Sequence, residues 1–442
     1  MKILITCSGL GSRMGDYTKY TNKSLIKIGD IFSIDYIIKL FRNIKNKEFI
    51  ITLGYLKDIV KQYIKLTYSD LNITFVDVDN FDGIGSSQGY SMLYAEKYLQ
   101  EPFIFIACDT LILDENLYDE KFNITENLLF LSKYDDTTSY TSVKCNNSNI
   151  VSIHNKGETD FDYVYIGKSY IYDYKIFWEN LNLIYCNDKS NNSISDVNVY
   201  YKMIEQNKSF KFKVIEKWYD AGNMNIFNSN LHKKMNYNVL TKYDESISFH
   251  DDIVIKYFYD TDKNKKRIQR YEYLKELAPK IIKSSDNFHI MEKINSRPIS
   301  EIIEDKIILN LLNWANEKLW IKYDNPSNFK EILYKFYHDK TIKRINMAFK
   351  KNIKDYDIIN NVKIGPLNNL IKKINFDFLC NSNASNFHGD FILDNILILN
   401  KNFILIDWRQ DFGGSTKYGD KYYDLAKLKH NIFFNHYNIE NK

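Results

Sequence analysis

The sequence predicts an α/β chain of two domains. The first carries a Rossmann-like mixed, mostly parallel sheet, and the second is an α+β domain with two lobes. Three observations predict this. Over residues 1–130 short apolar runs alternate with amphipathic stretches, the pattern of βαβ units. After a polar stretch at Ser229–Thr241 the order changes to strands first and helices later. A Gly-rich turn and a His-Gly-Asp turn lie at opposite ends of the chain, each beside a predicted strand.

The elements follow in order. Lys2–Cys7 reads as a strand, Ile34–Ile44 as a helix, Phe49–Leu53 as a strand and Leu56–Leu66 as a helix. Ile73–Val76 is a strand, Ser91–Leu99 a helix and Phe103–Ala107 a strand. Ligands of such sheets bind beyond the carboxyl ends of the strands, so Gly9, Asp77 and Asp109 are expected to converge there. Domains of 1–232 and 240–442 are expected on either side of the polar stretch. In the second, Ile253–Tyr259 and Asn287–Ile294 read as strands and Lys266–Glu276 as a helix, and residues 301–350 are helical.

Bulk properties exclude several classes. The chain has 442 residues, 44% hydrophobic content and a formal charge of +4, with basic and acidic side chains interspersed. That pattern carries no nucleic-acid footprint. Five scattered cysteines suit reduced thiols in a cytoplasmic protein and show no zinc spacing. The apolar run at the start is too short for a signal sequence, and no stretch approaches the roughly 18 residues of a membrane segment.

The N-terminal motif is Cys7-Ser8-Gly9-Leu10-Gly11-Ser12-Arg13-Met14, followed by Lys23. Gly9, Gly11 and Ser12 allow a tight turn whose backbone N–H groups face phosphate oxygens. Arg13 can hold β- and γ-phosphates in a fork, and Lys23 can reach the α-phosphate, where charge grows during transfer. A dinucleotide-binding loop is the competing reading. It lacks its third glycine, because Met14 stands there, and it gives Arg13 and Lys23 no role.

The segment resembles the sugar-phosphate nucleotidyltransferase family, with Asn22 where that family has Pro. The resemblance covers roughly residues 1–230. It implies that Asp109, after Ile104–Cys108, and Asp220, in Asp220-Ala221-Gly222, hold Mg2+. It implies that Gly85 and Ser86 lie in the loop reading the nucleobase. It also implies that Lys168, next to Gly167, lies near the phosphate substrate.

Near the other end, His388-Gly389-Asp390 is followed by Asn395 and then by Ile406-Asp407-Trp408. His-x-Asp-x-x-x-x-Asn is kinase catalytic-loop spacing: the Asp takes the proton of an attacking hydroxyl, and the Asn and a later Asp hold Mg2+. Lys256 lies in a predicted strand and Glu272 on the following helix, as an ATP-pairing Lys–Glu pair would. The set resembles the aminoglycoside phosphotransferase and choline kinase superfamily, over about residues 240–440. The resemblance implies a two-lobe protein kinase-like fold, with Glu292 in the hinge under adenine. Arg409 follows the metal strand where choline kinases have other residues, and a fixed cation there disfavours a quaternary ammonium. Trp314, Trp320 and Trp408 are read as core rather than as an aromatic cage. The superfamily continues through more helices after Tyr423–Lys427, so a small lobe or a truncated chain is expected.

The leading expectation is a bifunctional cytoplasmic enzyme feeding surface-polysaccharide assembly. ATP phosphorylates a small alcohol, a polyol or sugar, and a nucleotidyl group, from CTP, is then transferred to that phosphate with release of pyrophosphate. Choline or ethanolamine is the alternative acceptor, and a regulatory kinase-like lobe the alternative arrangement. A homo-oligomer is compatible with either.

Overall fold

The computed structural model describes residues 1–434 except 115–116, 120–121, 135–137, 155, 159, 223–241, 351–357, 360 and 400–401. Two compact units result: Met1–His250 with Ile255–Tyr259, and Asp251–Val254 with Asp260–Lys442. The polar stretch at 229–241, expected to separate two domains, lies outside the described residues.

In the first unit, β1 (Lys2–Cys7), α1 (Ser33–Leu40), β2 (Glu48–Leu53), α2 (Lys57–Thr67), β3 (Asn72–Asp77), α3 (Gln88–Leu93) and β4 (Phe103–Ala107) follow one another. Next come β5 (Thr110–Ile112), β6 (Leu128–Ser132), β7 (Ser142–Asn146), β8 (Asn149–His154), β9 (Tyr163–Ile171), α4 (Tyr174–Asn187), α5 (Asp196–Glu205), β10 (Lys211–Val214) and β11 (Trp218–Asp220). Nine strands form one mixed sheet in the order β3-β2-β1-β4-β9-β6-β10-β8-β7. The first four are mutually parallel. β9 runs antiparallel to β4. Ile3, Leu4 and Ile5 are all fully buried, as expected of a parallel strand covered on both faces. One covering layer packs Phe177, Trp178, Leu181, Val199 and Tyr200 of α4 and α5 onto Leu4, Ile50, Phe103 and Phe105. The chain passes from β1 to β2 on one side and reaches β4 on the other. The carboxyl end of β1 therefore opens at a topological switch point, where a crevice forms.

Helix starts differ from the sequence expectation where a cap decides them. The third helix begins at Gln88 rather than Ser91, because the Ser87 hydroxyl accepts from the Tyr90 N–H at 3.0 Å. The helix expected at Lys266–Glu276 is α6 (Thr261–Tyr271), capped by Asp260, which follows β12 (Glu245–Phe249) and β13 (Ile253–Phe258).

In the second unit, β14 (Ile281–Ser284) pairs antiparallel with β15 (Phe288–Glu292). α7 (Asp305–Trp314) and α8 (Phe329–Tyr334) each run into a π-turn, at Ala315–Leu319 and Lys335–Asp339, and α9 (Lys340–Lys350) follows the second. After the short α10 (Leu367–Lys372) and α11 (Phe376–Leu379) comes an antiparallel hairpin, β16 (Ile396–Leu399) and β17 (Asn402–Leu405). α12 (Lys421–Phe433) is the last described helix. Leu311, Leu319, Trp320, Phe391, Leu405 and Trp408 form its core.

Candidate active sites

The Gly-rich turn leaves β1 at its carboxyl end. Gly11 adopts φ 68°, a left-handed conformation, and a Cβ there would press on Thr18 and Lys23. Gly9, Ser12 and Arg13 are exposed on this turn. Asn22, where the family resemblance leads one to expect Pro, is fully buried and ties the next turn down. Its amide donates to the Cys7 and Tyr55 carbonyls at 3.0 and 2.7 Å, and its oxygen accepts from the Ser24 N–H at 2.9 Å. Capping of Lys23–Leu25 by Asn22 thereby fixes the backbone that carries Lys23.

Lys23 Nζ forms an ion pair with Asp109 Oδ2. Asp109 follows β4, and Asp220 ends β11, whose pairing with β5 sets Asp220 opposite Thr110. The Ala221 N–H donates to the Asp109 carbonyl at 2.9 Å, so the two aspartates share one corner. Asp220 accepts from the Gly222 N–H at 2.7 Å and from the Tyr140 hydroxyl at 3.1 Å. Burial pushes the Asp109 carboxyl up, but Lys23 and Arg13 more than reverse this and hold it below the usual carboxylate range. Burial and the neighbouring Asp109 hold Asp220 above that range. Two adjacent carboxylates at one corner supply the oxygen ligands that suit a hard divalent cation. Among the described residues no third His, Cys, Asp or Glu joins them, so phosphate oxygens or water would complete the shell.

Gly222 is a constraint that the sequence signalled only as part of Asp-x-Gly. A Cβ there would overlap Lys23 Nζ and come within 2.6 Å of Asp109 Oδ2. Gly222→Ala should therefore lower turnover at this site at least ~10-fold with little change in Tm, since only side-chain ends must move. Turnover and thermal melting of the variant check it, and unchanged turnover would contradict the packing.

Gly85 has φ 80°, and a Cβ there would strike the Lys189 carbonyl. Its N–H donates to Asn192 at 2.7 Å, and the Ser86 hydroxyl caps the Gly83 carbonyl at 2.7 Å. The 83–89 loop is thus braced by residues 189–194, which sequence reading did not single out. Lys156 is a second omission. Its ammonium lies near enough to Arg13, Asp220 and Asp109 to be shifted by them, with burial the larger cause of its lowered pKa.

One expectation fails here. Lys168 does not face the crevice: it is fully buried, 3.4 Å from the Phe130 ring centroid and bonded to the Tyr118 hydroxyl. Burial among aromatic rings holds its amine well below the usual lysine range. Its strand is antiparallel to β4, and alternation along it turns Lys168 into the core. Asp77 ends the edge strand β3 but is bound by Lys61 at 2.6 Å and Lys57 at 3.1 Å, both on α2.

In the second unit His388 is fully buried. Nε2 donates to the Ile406 carbonyl at 2.9 Å, and Nδ1 accepts from the Asp390 N–H at 3.2 Å. Burial pushes its pKa down to about 4, so the neutral ring is a strut between the loop and the segment leading to Asp407. Asn395 donates to the Asp390 carbonyl at 3.0 Å and to its carboxylate at 3.3 Å. Lys427 Nζ lies 2.8 Å from the other carboxylate oxygen. Asp407 has φ 56°, a strained conformation for a non-glycine residue, and pairs with Arg267 at 2.7 Å.

Asp424, not marked by sequence reading, holds this loop. It is fully buried and accepts from the His388 and Gly389 N–H groups, both at 2.7 Å, and from the Trp320 indole at 3.1 Å. Asp424→Ala leaves three buried donors unpaired and should destabilise the second unit by about 2–5 kcal/mol. Denaturant melting checks this, and a wild-type transition would contradict it. Arg270, also buried, donates to the Phe387 and Thr416 carbonyls from α6.

The residues expected on the ATP side are divided between the units, Lys256 in the first and Glu272 and Glu292 in the second. Lys256 is buried in β13. Glu272 caps the end of α6, is exposed, and pairs with Lys275 at 3.1 Å. The helix ends at Tyr271, so Glu272 lies past its last turn, whereas Arg267 within it is buried. Glu292 is exposed at the end of β15, and its carboxylate accepts from the Lys280 N–H at 3.1 Å. Trp320 and Trp408 are core, as expected.

The family model described as nucleotidyl transferase matches residues 2–236. Among solved structures, CTP:phosphocholine cytidylyltransferase from Streptococcus pneumoniae is 18% identical, with 53% of this chain and 98% of that chain covered and a TM-score of 0.45. The inositol-1-phosphate CTP transferase from T. maritima is 18% identical, with 54% and 98% covered and a TM-score of 0.42. A glucose-1-phosphate thymidylyltransferase from Bacillus anthracis, named as such only tentatively, is 20% identical, with 55% and 98% covered and a TM-score of 0.42. No curated protein matches the chain.

Proposed function

We propose that this chain, which belongs to the nucleotidyl transferase family, phosphorylates a small alcohol in its second unit and activates the resulting phosphate in its first. The observation that carries the transferase reading is Lys23 clamped to Asp109 beside Asp220 at the mouth of β1. In this reading Asp109 and Asp220 hold Mg2+, which when bound neutralises triphosphate charge and aligns it. Gly9, Gly11 and Ser12 receive the phosphates, and Arg13 grips the β- and γ-groups. Lys23 neutralises charge growing at the α-phosphorus as the substrate phosphate oxygen attacks and pyrophosphate leaves. Gly85 and Ser86 face the base. CTP is the proposed donor, because alcohol phosphates carried on nucleotides mostly use it.

For the second unit, Asp390 is the proposed base, Asn395 and Asp407 the Mg2+ ligands and Arg409 an acceptor contact. A polyol or sugar acceptor fits better than choline, because Arg409 opposes a quaternary ammonium and the tryptophans are committed to the core. One observation favours a second reading, in which this lobe binds ligand without phosphoryl transfer: the Arg267 ion pair occupies Asp407. Separate assays of ADP and of pyrophosphate, with alcohols plus ATP and alcohol phosphates plus each NTP, distinguish the two. Pyrophosphate without any ADP from alcohols selects the second.

A further inference from the structure

We infer that the alcohol accepted by the second unit carries an acidic group, a carboxylate or phosphate, bound by a cluster of cations beside Asp390. The inference rests on the kinase reading above and narrows its substrate class. Lys340 Nζ stands 3.9 Å above the Phe336 ring centroid, and the Arg409 guanidinium lies 5.3 Å from the same centroid. Two cations thus share one buried aromatic ring. Arg409 is fixed against the catalytic turn. Its N–H donates to the His388 carbonyl at 2.9 Å, and its Cβ sits where a Gly389 side chain would begin, 2.5 Å away. Lys427 adds a third cation at 2.8 Å from Asp390. This bridge is on the carboxylate oxygen opposite the one Asn395 touches, so Lys427 lies on the side away from Asn395.

Lys427 is paired with Asp390, but the other two cations have no direct counter-ion among the described residues. Among the described residues no carboxylate forms an ion pair with Lys340 or Arg409. Asp411, the acid that acts on Lys340, already accepts from the Gly414 N–H at 3.2 Å. Burial, with Arg409, Arg344 and Lys427 pressing on it, pushes Lys340 down to about 7. Cations gathered against mutual repulsion beside a base are what an anionic ligand needs. In the reaction the acceptor hydroxyl oxygen bonds to the γ-phosphorus of ATP. The bond from that phosphorus to the ADP oxygen breaks, and the hydroxyl proton passes to Asp390. The acid group, held by Lys340 and Arg409, sets which hydroxyl reaches Asp390.

The test uses the full chain with MgATP and a panel of hydroxy acids and sugar acids of three to six carbons. Each is compared with its neutral alcohol, and choline is included. ADP release should give at least ~10-fold higher kcat/KM for the acidic member of the preferred pair. Lys340→Met, which keeps the stem packed on Phe336, should raise KM for that acid ~10-fold or more. It should leave the neutral partner and Tm unchanged, and Lys340→Arg should restore the preference. Equal or better use of neutral alcohols or choline would overturn the inference while leaving the kinase intact. Equal weakening of acidic and neutral acceptors in Lys340→Met would overturn it too, by assigning the cations to the phosphates of ATP. No ADP from any alcohol, with pyrophosphate release retained, would remove the kinase reading and the inference with it.

Discussion

Asp109→Asn should lower pyrophosphate release about 10³-fold while the protein melts where the wild type does. The asparagine keeps the shape of the side chain and can still accept from Lys23. What it removes is one of two carboxylate charges at the corner where Asp220 is the other. A divalent cation held by two protein ligands loses half of its anionic protein ligation. Lys23, whose ammonium is favoured chiefly by Asp109 against the cost of burial, loses its main partner as well. The loss should therefore fall on kcat, because charge stabilisation at the α-phosphorus matters most in the transition state. Steady-state pyrophosphate release with a supplied alcohol phosphate measures it. Turnover within a few-fold of wild type would remove Asp109 from the reaction.

Asp390→Ala should abolish ATP-dependent phosphorylation, by about 10³-fold or more, and leave pyrophosphate release from a supplied phosphate substrate unchanged. Asp390 is anchored through Asn395 and Lys427, and its backbone N–H is held by His388. The scaffold of the turn is provided by Asp424, not by Asp390, so the alanine variant should keep the fold. Equal loss of both activities in a folded variant would contradict two separate sites.

Much of this was legible in the sequence where a periodic pattern or a tight turn leaves a local signature. β1 and β4 lie at the expected residues because uninterrupted Ile, Leu and Phe runs can only be strands of a sheet covered on both faces. Lys23 and Asp109 were each marked by their motifs, as phosphate and metal contacts, whereas their ion pair is visible only in the structure. What was not legible depends on long-range register. Lys168 follows a glycine and looks like a phosphate contact, yet the antiparallel pairing of β9 with β4 turns it into the core. Glu272 lies past the last turn of α6, because the helix capped by Asp260 ends at Tyr271 and not at Glu276. Asp424 gave no signal, since an aspartate inside Tyr-Asp-Leu-Ala reads as an ordinary helix residue. Its role exists only because α12 packs its first turn against a loop 35 residues earlier.

In the proposed function one chain makes an alcohol phosphate and then activates it. The most direct measurement supplies the full chain with Mg2+, ATP, CTP and one alcohol that it phosphorylates, and follows ADP and pyrophosphate in the same reaction. Pyrophosphate should appear after a lag and then track ADP one for one. Both should vanish when ATP is omitted, and pyrophosphate alone should return when the alcohol phosphate is added. ADP accumulating without pyrophosphate, while a different phosphate substrate is activated readily, would show that the two sites do not serve one product.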